Sequence, residues 1–176
     1  TLPVNTDDII IPSGCVNYPV VTTNRTMNSL TINFGGSITF TANTATVDGG
    51  EVNNAGTILI NGGTLDIKNT TGNLTNTGLI TTSNGQLKVG GIVTNNASAN
   101  FNTSGGIVTV STNGSTNSGT ISVSSGTLNF NGRNITNLTG GTIDQTGGIL
   151  ESSNLIVNAS SNVNFSTGTS TFNGTF

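Results

Sequence analysis

The sequence predicts an all-β chain wound as a single parallel β-helix, or β-solenoid, with about 21 residues per coil, three short strands per coil and roughly seven coils. Three observations carry this. Aliphatic residues recur as spaced pairs, such as Ile58/Ile60, Leu87/Val89 and Ile121/Val123. One phrase of Asn, Thr and Gly is rewritten along the chain, as "EVNNAGTILINGGTLDI" at 51–67 and "NLTNTGLITTSNGQLKV" at 73–89. No segment shows the 3.6-residue periodicity of a helix.

The alternation of apolar with polar residues is the period of a strand with one buried face. We call the three strands of a coil opening, middle and closing. Closing strands follow a Gly-led motif in GGSITF, GGTLDI, NGQLKV, GGIVTV, SGTLNF and GGILES, with a degenerate copy in TGTSTF. Its second residue falls at 36, 63, 85, 106, 126, 148 and 168, in steps of 27, 22, 21, 20, 22 and 20. The long first step predicts a loop inserted over 41–50. Middle strands are expected to turn Ile58/Ile60, Ile80/Thr82, Ala99/Phe101, Ile121/Val123, Ile143/Gln145 and Val163/Phe165 inward. Opening strands are expected to bury Val52, Leu74, Val93, Ile135 and Ile156, with Ser115 as the polar exception. Thr82, Gln145, Ser152 and Ser170 fall on inward positions and are the weak points of this register.

Two polar columns follow from the same spacing. Asn54, Asn76, Asn95, Asn117, Asn137 and Asn158 recur in steps of 22, 19, 22, 20 and 21. Stacked in register, their amides would form a structural ladder like those of cross-β stacks. Thr75, Thr94, Thr116 and Thr136 precede ladder positions and form a candidate surface Thr array. Asp66 and Lys88 are expected to be lateral neighbours.

Composition limits the chemistry. Only 6% of the 176 residues are charged, the net charge is −3, and there is no histidine. The four basic residues, Arg25, Lys68, Lys88 and Arg133, form no run, so nucleic-acid binding lacks its electrostatic footprint. No apolar stretch reaches membrane-spanning length. Cys15 stands alone, which excludes an intrachain disulfide and a zinc set, and it reads as a small buried hydrophobe. Asp7 and Asp8 read as turn or edge-capping carboxylates, because a calcium site needs more oxygens than the neighbourhood offers. Glycoside hydrolysis needs two facing carboxylates. Asp48, Glu51, Asp66, Asp144 and Glu151 are spread thinly, and Asp144 and Glu151 share a coil but fall on different strands. No catalytic residue, metal ligand or cofactor is therefore expected.

Residues 6–40, "TDDIIIPSGCVNYPVVTTNRTMNSLTINFGGSITF", open with an Asp pair, an aliphatic run, Pro-x-Gly and then SLTI before a Gly-led strand. Through Asp7, Asp8, Ile11, Pro12, Gly14, Leu30, Thr31, Ile32, Gly36 and Ile38 this resembles the start of solenoid regions in large secreted proteins of Bacteroidetes. The later coils are similar to filamentous-haemagglutinin-like and autotransporter passenger repeats. The resemblance implies export, often by the type IX route, an extracellular or cell-surface location, and structural or adhesin work. Expected partners are neighbouring domains, a further copy by self-stacking, cell-surface glycans or the secretion machinery, with no nucleic acid and no membrane insertion. The domain plan is an N-terminal opening or capping segment with the first coil at 1–34, then solenoid repeats at 35–176, in a piece of a longer chain. An ice-binding solenoid using the Thr array and a polysaccharide-acting β-helix enzyme are the alternatives.

Overall fold

Gly and Asn interrupt every run of alternating residues, so no strand can grow long before the chain turns. The computed structural model describes residues 3–174 and shows the result, a β-solenoid of eight turns with no helix among the described residues. The count is eight rather than seven because Asp8–Ile11, Val20–Val21 and Arg25–Met27 already complete a turn.

Opening strands stack into one parallel eight-stranded sheet, from Asp8–Ile11 through Ser29–Ile32, Val52–Asn54 and Leu74–Asn76 to Leu155–Val157. Middle strands form a second stack, including Ser37–Phe40, Thr57–Ile60 and Leu79–Thr82. Closing strands form a third, including Thr44–Val47, Thr64–Ile67 and Gln86–Val89. In two turns the corner between middle and closing strands is itself extended, giving the long strands Asn100–Val110 and Thr120–Asn129. Eight turns at the roughly 4.8 Å strand spacing make a rod about 35 Å long.

The core is the sum of the inward pairs. Ile38, Ile58, Ile80, Phe101, Ile121 and Ile143 are register partners in the middle stack and all are buried. Ala45, Leu65, Leu87, Val108, Leu128 and Leu150 do the same in the closing stack. Close approach of successive turns at the corners requires glycine. A Cβ on Gly56 would lie 2.2 Å from the carbonyl oxygen of Gly36, and one on Gly78 would lie 2.1 Å from that of Gly56.

Three parts of the sequence register are corrected. Residues 41–50 are not an inserted loop. Thr44–Val47 is a closing strand between Arg25–Met27 and Thr64–Ile67, with Ala45 and Val47 fully buried. GGSITF accordingly belongs to the middle stack, where Ser37–Phe40 pairs with Thr57–Ile60. The anomalous step of 27 disappears, because the closing column runs from Val47 to Ile67. Second, the inward middle pair of the fifth turn is Phe101/Thr103 rather than Ala99/Phe101. Ala99 stands in the glycine corner column and its carbonyl receives the Thr120 N–H at 2.9 Å, as that of Gly56 receives Leu79. Third, Ile156 faces out at 46% exposure, and Leu155 takes the buried place beside Ile135.

The weak points lie where polar side chains enter the core. Gln145 is fully buried and donates to the carbonyls of Gly148 and Thr169 at 3.2 and 3.0 Å. Ser115 is buried and its hydroxyl accepts the Val93 N–H at 3.0 Å. Thr82 and Thr103 are register partners, both buried, and neither hydroxyl has a hydrogen-bond partner within the protein. The Ser152 hydroxyl is buried in the same condition. Ser170 lies in the exposed last turn, where its hydroxyl meets Gln145 Oε1.

An unpaired buried hydroxyl costs more than an apolar group of the same shape. Replacing Thr82 and Thr103 together by Val should therefore raise the free energy of unfolding by about 1–2 kcal/mol in urea titration. An unchanged or lowered value would show that these hydroxyls are satisfied in solution.

Candidate functional site

The second inward position of the opening strand is apolar in the first two turns, as Ile11 and Ile32, and becomes Asn from the third. Asn54, Asn76, Asn95, Asn117 and Asn137 are register partners there, between 0 and 2% exposed. Each Nδ2 donates to the next Oδ1 at 2.8 Å, through four consecutive bonds. The same amides also donate to middle-strand carbonyls one turn on, Leu79, Asn100, Thr120, Thr142 and Asn162, at 2.9–3.1 Å. Opening and middle strands are thereby tied together at every ladder turn. All the donors point one way along the rod, so Asn54 Oδ1, at the ladder's start, is left buried without a donor.

Asn158 is not a member of this ladder. The register partner of Asn137 is Val157, and Asn158 is exposed. The chain returns from Asn137 after 20 residues instead of the 21 the spacing suggests, which brings Val157 to the ladder position.

Thr75, Thr94, Thr116 and Thr136 are register partners on the outer face of the opening sheet and are half-exposed. Asn53 and Ile156 bound the column. It is one residue wide, because the neighbours on each strand, such as Leu74 and Asn76, turn inward.

The carboxylates are dispersed. Asp144 is on a middle strand and Glu151 on a closing strand, where Glu151 accepts the Asn129 amide at 2.6 Å. Glu51 accepts the Asn73 amide at 3.3 Å. Asp66 and Lys88 are register partners on the closing stack. Asp7 accepts the Val4 N–H at 3.0 Å. Asp8 accepts the Ser29 hydroxyl at 2.6 Å and the Asn28 amide at 2.7 Å, and these bonds, Ser29 first, hold its carboxyl below the usual range. No three His, Cys, Asp or Glu side chains among the described residues are placed to hold a metal ion. Cys15 is half-buried with its Sγ 3.8 Å from the Pro12 carbonyl.

A further Asn line escapes a reading that follows apolar pairs. Asn113 Oδ1 receives the Asn134 N–H at 3.0 Å, and Asn134 Oδ1 receives the Asn154 amide at 2.9 Å, at the corner before the opening strands. Separations of 21 and 20 residues are its only sequence signal. No family model, curated protein or solved structure matches the chain.

Asn117 tests the ladder's energetics. Asn117→Ala removes the acceptor of Asn95 and the donor to Asn137, and should lower stability by about 2–3 kcal/mol. Asn158→Ala should stay within about 0.5 kcal/mol of the parent. Equal effects in urea titration would sink the ladder's structural role.

Proposed function

We propose that the chain is a non-catalytic structural or adhesive β-solenoid module of an extracellular, cell-surface protein, acting as a stalk or a contact surface. The observation that carries this reading is the unbroken eight-turn stack, locked from the third turn to the seventh by buried amides, with Asp144 and Glu151 on separate walls. Parallel β-helices include carbohydrate enzymes, but fold is no warrant for activity. The opening resemblance supports export in a Bacteroidetes-type setting, by the type IX route, and adhesin work. Neighbouring domains, another copy, surface glycans and secretion machinery are the partners that fit it.

Incubated with a panel of plant, algal and bacterial polysaccharides, the chain should release no new reducing or unsaturated ends. Beads coated with it should adhere to one another or to glycan-coated surfaces. Product release abolished by Glu151→Gln or Asp144→Asn would replace this reading with an enzymatic one. Beads inert to every surface would remove the adhesive part.

The in-register Thr75, Thr94, Thr116 and Thr136 column favours one second reading, ice binding. Thermal hysteresis decides it. A freezing gap that disappears in Thr116→Tyr would raise this reading above the first, and no gap would exclude it.

A further inference from the structure

The outward column of the opening sheet is polar except at its two extremes. From Thr31 to Thr136 its members are Thr or Asn, each the register partner of the next. Ile10 precedes Thr31 and Ile156 follows Thr136, and both isoleucines are exposed. The inward positions of the eighth turn also depart from the pattern. The second inward residues of its strands are Val157, Phe165 and Phe172, where the seventh turn has Asn137, Gln145 and Ser152. Val157 and Phe165 are exposed, and the Phe165 and Phe172 rings lie 5.8 Å apart. A capping turn would do the reverse and present a polar outer face. Charges and prolines that guard a strand edge are absent from residues 155 to 172.

At the opposite extreme the first turn opens on a largely apolar cavity of about 330 Å³, whose walls include Ile9, Ile11, Val21, Met27, Ile38 and Arg25. The two extremes match position for position. The columns that hold Val157, Phe165 and Phe172 in the eighth turn hold Ile11, Val21 and Met27 in the first. Leu155 answers Ile9, and the outward Ile156 answers Ile10. On the closing wall the outward column begins at Thr26 and ends at Thr171, so hydroxyl answers hydroxyl. Ser170 stands in the column of Arg25, which leaves the guanidinium facing a hydroxyl and the neighbouring Phe172 ring rather than another cation. With no charge in the eighth turn, Asp7, Asp8 and Arg25 of the first would oppose no like charge.

We propose that the partner of both faces is a second copy of this chain, the first turn of one copy stacked on the eighth turn of another, with the Phe165–Phe172 pair seated in the cavity beside Ile11, Val21 and Met27. The junction continues the parallel, in-register stack, and strand edges that pair on one side only in the single copy gain their second neighbour. The contact is heterologous and runs along the axis, so it does not close on itself, and copies add one after another. Each copy lengthens the filament by eight strand spacings, about 38 Å. The inference rests on the structural reading above and names its partner.

Sedimentation velocity of the whole chain should show an open series of species that grows with concentration. Ile10 and Ile156 are exposed, so Ile10→Lys/Ile156→Lys should fold, and like charges at the junction should weaken association about tenfold or more. Ile10→Glu/Ile156→Lys should restore association and make it weaken as salt is raised. Parallel neighbours about 4.8 Å apart lie within disulfide reach. In a Cys15→Ser background, Ile10→Cys/Ile156→Cys should therefore give a ladder of linked oligomers under oxidising conditions. Ile10→Cys/Thr171→Cys, on different walls, should not. A monomer at millimolar concentration, a closed dimer, undiminished association in the double lysine variant, a charge pair that fails to restore it, or equal ladders from the two cysteine pairs overturns the junction. The adhesive reading is scored separately by the coated beads, so a chain that stays monomeric while its beads hold to glycan-coated surfaces leaves that reading standing and removes this one.

Discussion

In-register parallel stacking is the constraint on which everything else depends. A strand of three or four residues has no partner within its own turn, so its backbone N–H and C=O groups are satisfied only by the turns on either side. Every side chain consequently lies beside its equivalent about 20 residues away, and must tolerate that neighbour. Aliphatic residues, threonines and amides satisfy this condition. Like charges do not, being destabilising when directly opposed. Asp66 sits between Thr46 and Lys88, and Glu151 between Asn129 and Thr171. A chain whose charged fraction is 6% is what this rule leaves.

The alternation of the strands was legible because burial on one side imposes it directly on the residues. The corners were harder. Glycine marks a corner to the eye because it takes the left-handed conformation without strain. Near each misread segment a non-glycine residue takes that conformation instead. Asn43 has φ +59° just before the closing strand read as a loop. Ser98 has φ +66° next to Ala99, and Ser160 has φ +61° beyond Asn158. Where Asn or Ser turns the chain the glycine marker is absent, although Asn69 (φ +71°) and Asn131 (φ +48°) do so beside segments whose register was read correctly.

Side-chain columns were legible in proportion to their chemical distinctness. Asn stands out, so the ladder could be traced from Asn54 to Asn137 by spacing, and only its end was misplaced, where Val157 succeeds Asn137. The outward closing column from Thr26 to Thr171 was not legible as a whole, because its members differ in chemistry and their intervals carry meaning only once the turns are correctly stacked. Thr103 was missed as an inward residue for the same reason, since a slip of two positions in the fifth turn hides that it partners Thr82.

The ladder has one more property. Its members are 22, 19, 22 and 20 residues apart, yet every amide-to-amide bond measures 2.8 Å. Contour length between rungs varies while the axial rise does not. Residues gained or lost at a corner change the girth of the rod and leave its length alone. Such a chain can take insertions at the bend between closing and opening strands, which is six residues long after Ile67 and three after Val89, growing new surface sideways without altering how far one end of the protein is held from the other.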